Sequence, residues 1–422
     1  MKIAVVGGGS TYTPELAEGL RARAGELQIE SLELFDLDTK RLAIVGGFVT
    51  RMTAGSGIAV RTHAELDRCL EGADFVVVQI RAGGQAARLR DERLGRDHGI
   101  IGQETTGIGG LANALRTIPQ VLHIAHRAEA IAPEATLIDF TNPVSIVTEA
   151  LIRHARIRSI GLCNIPISQR REIAAHLGVS ERDVEIDSVG LNHLSFIRGV
   201  RVGGREVIDS LIAELAGALA KGLRPRNIPD LDFPPELLEA LRMIPSDYLR
   251  YFFLSTETIA EQRQKARLRA EEVAEIEAEL LGEYARPDNR TKPEGLSKRG
   301  GAHYSHAALE IIEAMATNSG RALTVDVRNG TTLRELPEDC SIEVPAYVSS
   351  TGATPLAQRP LEPQIRGLIQ HVKAYEELAV AAALSRGRRD VYLAVLAHPL
   401  VPSASLASRL TDALMRELRP EG

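Results

Sequence analysis

The sequence predicts an α/β protein: a Rossmann-like, doubly wound parallel sheet over residues 1–165 and a mixed α+β region over residues 166–422. Three observations lead there. Short, continuously apolar runs at 2–6, 31–35, 73–80, 135–140 and 159–162 alternate with stretches of helical periodicity, the pattern of strands covered on both faces by crossover helices. The first run feeds a turn of three glycines. Several runs end on polar residues able to do chemistry, and that strand-end edge is where such sheets bind ligands.

Residues 2–6 are followed by Gly7, Gly8, Gly9, Ser10 and Thr11, and Pro14 and Glu15 then open a helical pattern through Leu16 and Leu20. Strand, glycine turn and helix start is the order a pyrophosphate needs. The glycines let backbone approach it, and the helix N-terminus supplies free N–H donors and a favourable dipole. Tyr12 stands where the strict dinucleotide fingerprint has its third glycine, so a tight turn of any α/β domain is the competing reading. The next strand ends on Asp36-Leu37-Asp38. A carboxylate there accepts hydrogen bonds from both hydroxyls of an adenosine ribose and repels a 2′-phosphate, which favours NAD over NADP. Asp36 is the preferred candidate, with Asp38 as a helix cap.

The run 73–80 leads into Arg81-Ala82-Gly83-Gly84 and a basic helical segment containing Arg88. The two-pronged guanidinium of Arg88 suits a carboxylate or phosphate, and an ion pair with Asp91 or Glu92 fits its spacing equally well. Residues 99–110 read as a shaped, glycine-rich loop carrying Glu104 near the site. Residues 111–132 read as a long helix with His123 and His126 on its solvated face. The run 135–140 ends in Thr141-Asn142-Pro143. Pro143 biases Asn142 away from helix and leaves its amide for sugar hydroxyls or a nicotinamide ribose, or for an Asx turn.

Cys163 and Asn164 follow the run 159–162, and Pro166 stops the pattern at once, so Cys163 is expected to be presented at a strand end. A second short apolar run, 188–191, delivers Asn192 and His193. A thiolate and an imidazole from neighbouring strand ends make half of a divalent-metal site, the other positions falling to water or substrate oxygens. A small apolar cysteine and a histidine bonded to backbone is the ordinary alternative.

Beyond Pro166 the alternation weakens. Helices are expected at 168–177, 209–223 and 257–283, a proline-rich connector at 224–235, a strand at 322–327, and helix through the final hundred residues. The chain has 8 Tyr, 8 Phe and no Trp, yet residues 244–254 form an aromatic cluster in which Tyr248 and Tyr251 share a helical face. Most such pairs are core, but a tyrosine beside a metal and cations loses its proton more readily and can serve as a base. Arg263, Lys265, Arg267 and Arg269 add local positive charge, and residues 299–305 form a second glycine turn feeding a helix. The helical C-terminal half points to a homodimer or homotetramer.

A formal net charge of −6 over 422 residues argues against bulk nucleic-acid or anionic-membrane binding, which need a concentrated positive field. No apolar run approaches a membrane span, and the N-terminus enters a strand directly, so a cytoplasmic protein acting on a small molecule is expected. Three cysteines are too few and scattered for a disulfide framework, which leaves Cys163 a reduced thiol.

As an ordered set, residues 7–16, 81–92, 101–107, Thr141-Asn142-Pro143, Cys163-Asn164-Ile165-Pro166, Asn192-His193, Tyr248-Leu249-Arg250-Tyr251 and 299–305 resemble glycoside hydrolase family 4, most nearly its branch acting on 6-phospho-β-glucosides. The resemblance implies a lactate/malate dehydrogenase-like fold carrying NAD, a divalent cation (typically Mn²⁺), and glycoside hydrolysis without the usual carboxylate pair. It implies Cys163 and His193 as metal ligands, Asn142 and Asn164 as sugar contacts, Arg88 and Arg269 as holders of the substrate and its 6-phosphate, and Tyr248 as the base. In the family's reaction NAD oxidises the sugar at C3, the acidified C2 proton is removed, the aglycone leaves C1, water adds, and the hydride returns. The α-glycosidases of the family are expected to carry an acid after the metal cysteine. Asn164 is neutral, which favours a β-linked substrate.

Two features depart from the family pattern. Tyr251-Phe252-Phe253 lacks its full run of tyrosines, and Arg263, Arg267 and Arg269 compete for the second phosphate-binding position. The alternatives are an NAD-dependent 2-hydroxy-acid dehydrogenase, a non-catalytic NAD sensor, or a family 4 glycosidase for a different or unphosphorylated sugar. The first gives Cys163-Asn164 no task, and the second would bind dinucleotide without turning over any glycoside.

Overall fold

The computed structural model describes residues 1–220, 233–299 and 304–418. Most of the proline-rich connector and the middle of the second glycine turn lie outside the described residues. Six parallel strands form one half of a continuous sheet: β1 (Lys2–Val6), β2 (Ser31–Phe35), β3 (Ala59–His63), β4 (Phe75–Val78), β5 (Thr136–Asp139) and β6 (Arg158–Gly161), in the order β3-β2-β1-β4-β5-β6. Strands β1 and β4 are buried along almost their whole length, as expected of strands covered on both faces. The strand order reverses between β1 and β4, which opens a crevice at their C-terminal ends. Strand β3 is not signalled by an apolar run, because it lies at the sheet edge and is only half buried.

Past β6 the sheet continues antiparallel. Its later strands are β7 (Val184–Leu191), β8 (Leu194–Val202), β9 (Arg205–Glu206), β10 (Ile244–Pro245), β11 (Arg321–Arg328), β12 (Ser341–Ser349) and β13 (Gly352–Pro355). The order runs β6-β11-β12-β7-β8-β10, with β13 on β12 and β9 on β8, so the sheet crosses residue 165 without a break. The expectation of an all-helical final hundred residues is corrected here. Strands β11 to β13 come first, and only then the helices Pro363–Ser385, Arg388–Ala397 and Ala404–Glu417. Strand β12 carries a glutamate and a proline among its apolar residues, which hides it from a periodicity reading.

The single helix expected at 257–283 is two, Ser255–Gln264 and Arg269–Tyr284, separated by backbone that is extended at Lys265 and Leu268. No glycine or proline marks that break, so tertiary packing decides it. The helix expected at 111–132 spans Gly107–Ile131, with His123 and His126 exposed. Among the described residues no helix is long and apolar enough to cross a membrane.

Candidate active site

A cleft of about 1200 Å³ runs along the C-terminal edge of the parallel strands. At one end lies the glycine turn. Gly7 has φ +93°, and a Cβ there would stand 2.7 Å from the Gln79 carbonyl oxygen, so only glycine lets this turn lie against β4. Gln79 ties the turn down, its Nε2 donating to the Gly7 carbonyl at 3.2 Å and to Thr13 Oγ1 at 2.8 Å. The helix Thr13–Ala22 follows, with Pro14 in its first turn and no side-chain cap on its N-terminus. Asp36 accepts the Gly9 N–H at 2.9 Å, while Asp38 caps the helix Thr39–Met52 through the amides of Lys40 and Arg41. Both acids line the cleft, but their backbone partners differ: Asp36 holds the turn and Asp38 the helix. Gly7, Gly9, Ser10 and Asp36 line the cleft. Thr11 is fully buried and its carbonyl accepts the Tyr284 hydroxyl at 2.9 Å, and Gly8 packs against Leu34 beneath the turn.

The other end of the cleft is lined by Asn142, Asn164, Tyr248 and Tyr251. Asn142 Oδ1 is buried and has no hydrogen-bond partner among the described residues, although its main-chain carbonyl takes Asn113 Nδ2 at 3.1 Å. An Asx turn would have used that oxygen. Beneath these residues, Cys163 Sγ and His193 Nε2 stand 3.6 Å apart. Asn192 and His193 form the two-residue turn between β7 and β8, and His193 sits at φ +63°. The turn closes because Gly190 has φ +149° where a Cβ would lie 2.2 Å from the Leu194 carbonyl oxygen.

A cation about 2.3 Å from sulfur and about 2.1 Å from nitrogen, at an angle of about 110°, reproduces that separation, so the pair fits one divalent ion. Among the described residues no group of three or more His, Cys, Asp or Glu side chains could hold a metal, which leaves further positions to water or a bound molecule. Burial pushes the His193 pKa down to about 3, so the ring is neutral and its lone pair free to ligate. Cys163 lies at a strand end, yet it is 2 % exposed and not open to the cleft as a presented thiol would be. Burial, reinforced by Glu343, pushes that thiol far up, so a cation must displace its proton.

Arg88 lines the cleft but is not a surface side chain. Its Nε meets Glu92 at 2.8 Å and its Nη2 meets Glu104 at 2.9 Å, while Arg81 also pairs with Glu104. Burial opposes ionisation of Glu104, but Arg81 and Arg88 outweigh it and hold the carboxyl below its usual range. Arg267 and Arg269 line the cleft; Arg263 does not. Arg269 is exposed and engaged, with Nη1 on Glu272 at 3.0 Å and Nη2 on the carbonyls of Lys298 and Arg299 at 2.9 and 3.1 Å.

The buried acids that escaped the sequence reading include Asp139 on β5, Asp326 on β11 and Glu343 on β12. Glu343 accepts Asn192 Nδ2 at 2.8 Å and so braces the turn that carries His193. Burial raises both Asp326 and Glu343, and the neighbouring Glu343 further disfavours ionisation of Asp326. Their signal was available, since each acid directly follows an apolar residue in a strand: Ile138-Asp139, Val325-Asp326 and Ile342-Glu343.

The fold is that of a dinucleotide-binding, doubly wound α/β protein with an antiparallel extension. A lactate dehydrogenase from a Medee basin deep-sea metagenome library shares it at TM-score 0.56 and 15 % identity, covering 91 % of this chain and 98 % of that one. Residues 2–179 match the Family 4 glycosyl hydrolase profile and residues 188–401 its C-terminal domain. The chain belongs to glycosyl hydrolase family 4. It is 38 % identical to a probable 6-phospho-beta-glucosidase of Bacillus subtilis (strain 168), over 98 % of this chain and 96 % of that protein. A structure of the 6-phospho-beta glucosidase from Thermotoga maritima with manganese, NAD⁺ and glucose-6-phosphate superposes at TM-score 0.91 with 35 % identity, covering 99 % of this chain and 98 % of that one.

Proposed function

We propose that this chain hydrolyses 6-phospho-β-glucosides with NAD and a divalent cation, Mn²⁺ being the first candidate. The observation that carries the reading is one cleft lined by a glycine turn, Asp36, Asn142, Asn164 and Tyr248, with the Cys163–His193 pair converging beneath its wall where Tyr248 stacks on the His193 ring. The likeness to the Bacillus subtilis and Thermotoga maritima proteins supports the substrate class.

Gly7, Gly8, Gly9, Ser10 and Thr11 would shape the seat of the dinucleotide, and Asp36 would take the ribose hydroxyls. Cys163 and His193 would hold the cation. When bound, the two groups supply reversible oxidation at the sugar's C3 and polarisation of the carbonyl oxygen. Tyr248, once deprotonated, would then take the C2 proton on its phenolic oxygen, the C1–O bond would break as the electron pair moves out with the aglycone, which takes a proton from water, and water would add at C1 with the proton returning to C2. Asn142 offers its unpaired Oδ1 to a sugar hydroxyl. Asn164 has no proton to give a leaving group, consistent with β-linked substrates whose aglycone leaves without it. Arg88 and Arg269 would hold the 6-phosphate. Arg88, braced by Glu92 and Glu104, would meet it as a preorganised fork. The same reading makes the protein a cytoplasmic homodimer or homotetramer.

The test is turnover in heavy water of aryl β-glucoside 6-phosphate, beside its α-linked and unphosphorylated counterparts, with NAD⁺ and Mn²⁺. Deuterium at C2 of the product and preference for the phosphorylated β-anomer are expected. Cleavage without C2 label would point to direct displacement at C1 and overturn the mechanism.

A further inference from the structure

His193 lines a second and much smaller chamber of about 30 Å³. His193, Ser145, Tyr375, Glu376 and His398 contribute to its wall. A space of that size holds one or two water molecules, provided each finds two to four polar partners. The wall supplies them. Tyr375 is 4 % exposed, and its hydroxyl is buried without a partner among the described residues. His398 accepts the Leu400 N–H on Nδ1 at 3.0 Å, and burial pushes its pKa down to about 3, so the ring is neutral and carries its proton on Nε2. The ring stands edge-on to Tyr375, with centroids 4.3 Å apart. Glu376 is held by Lys373 at 2.6 Å, and Lys373 also meets Glu149 at 2.8 Å, so the carboxylate is fixed in place on the helix Pro363–Ser385.

His193 needs what this chamber offers. Its Nε2 stands 3.6 Å from Cys163 Sγ, which leaves Nδ1 as the second ring nitrogen of a side chain that also lines the chamber. A metal-ligating imidazole ordinarily donates that second N–H to a carboxylate, a carbonyl or water, and the bond sets both its tautomer and its orientation. We infer that the chamber holds ordered water linking His193 Nδ1–H to the Tyr375 hydroxyl and the Glu376 carboxylate, which makes Tyr375 and Glu376 positioning residues for the metal-binding ring. The C-terminal helices thereby reach the metal site without touching substrate. The inference rests on the proposed metal-ligand role of His193.

Tyr375→Phe is the primary variant, since it removes one hydroxyl and keeps the ring and its volume. Titration of the NAD-loaded, substrate-free protein with Mn²⁺, followed by electron paramagnetic resonance, is expected to show affinity weakened about tenfold or more, with NAD affinity unchanged. Equal Mn²⁺ affinity in the variant and the wild type would overturn the inference while leaving the metal site standing. Failure of the wild type itself to bind Mn²⁺ would instead remove the metal reading, and the inference with it. A second measurement needs no metal. With ¹⁵N-labelled histidine, His193 is expected as the Nδ1–H tautomer with a slowly exchanging proton that exchanges faster in Tyr375→Phe. The Nε2–H tautomer, or unchanged exchange, would count against the chamber's role. Glu376→Gln, with the melting temperature measured alongside, is expected to weaken Mn²⁺ binding in the same direction, and wild-type affinity in a folded variant would exclude Glu376.

Discussion

The phenol ring of Tyr248 lies flat on the imidazole of His193, with centroids 3.7 Å apart and planes within 3° of parallel. The proposed base and one proposed metal ligand thus share an aromatic face, and Tyr251 packs edge-on against Tyr248 at 5.8 Å. Stacking fixes where the phenolic oxygen stands.

Tyr248→Phe separates the two duties of this residue. The stack survives, so NAD and Mn²⁺ should bind as in the wild type, while kcat falls by roughly 10²- to 10⁴-fold, the usual worth of a positioned acid or base. Steady-state kinetics with parallel binding titrations checks this. Wild-type turnover would move the role to another group, Tyr251 first.

Cys163→Ser should weaken Mn²⁺ binding by roughly 100-fold, about 2.7 kcal/mol, because a serine hydroxyl does not ionise to replace the thiolate. Because burial raises the thiol pKa, the wild-type site stays protonated through the neutral range and must release a proton when it takes up the cation. Mn²⁺ affinity should therefore rise about tenfold per pH unit near neutrality. Calorimetry in buffers of different ionisation enthalpy reads that proton directly.

Gly7→Ala places a methyl group 2.7 Å from the Gln79 carbonyl oxygen at a left-handed φ. The backbone cost alone is about 1–3 kcal/mol, and the turn must move to relieve the overlap. Lower thermal stability together with weakened NAD binding is expected in a dye-based melting assay with and without NAD. Intact NAD binding would show that the turn does not seat the dinucleotide.

Asp139 is fully buried, and burial raises its pKa to about 7 against the opposing hydrogen bonds from Thr141. The unfolded chain ionises this group near about 3.9. Between those values the native state keeps a proton the unfolded state has lost, so stability falls as pH rises from about 4 to about 7 and levels off above. The contribution is at most about 1.4 kcal/mol per pH unit. Asp139→Asn should flatten that slope in urea unfolding measured at several pH values; an unaltered slope would mean that the carboxyl is ionised in the folded protein.

Much of the parallel half is legible because each buried strand is a continuous apolar run and each strand end carries its own local stop: the glycines after Val6, Asp36 after Phe35, Pro143 after Asn142. Edge strand β3 was not, since a half-exposed strand has no such run. Nor was β12, whose Glu343 interrupts the apolar pattern for a reason that lies in space, the need to brace Asn192 from across the sheet. The break between Gln264 and Arg269 has no local marker either.

The sequence by itself determined the chemistry available: a glycine turn after a strand, an acid at the next strand end, a cysteine beside an asparagine, and a histidine thirty residues on. Local steric rules and side-chain identity are short-range, and they can be read one segment at a time. Only the tertiary structure decided which of these groups meet. The Cys163–His193 pair, the Tyr248 stack and the water-sized chamber under His193 each join residues far apart in the chain. Those distances follow from sheet order and helix packing, where the burial of many side chains acts at once and no single segment carries the instruction.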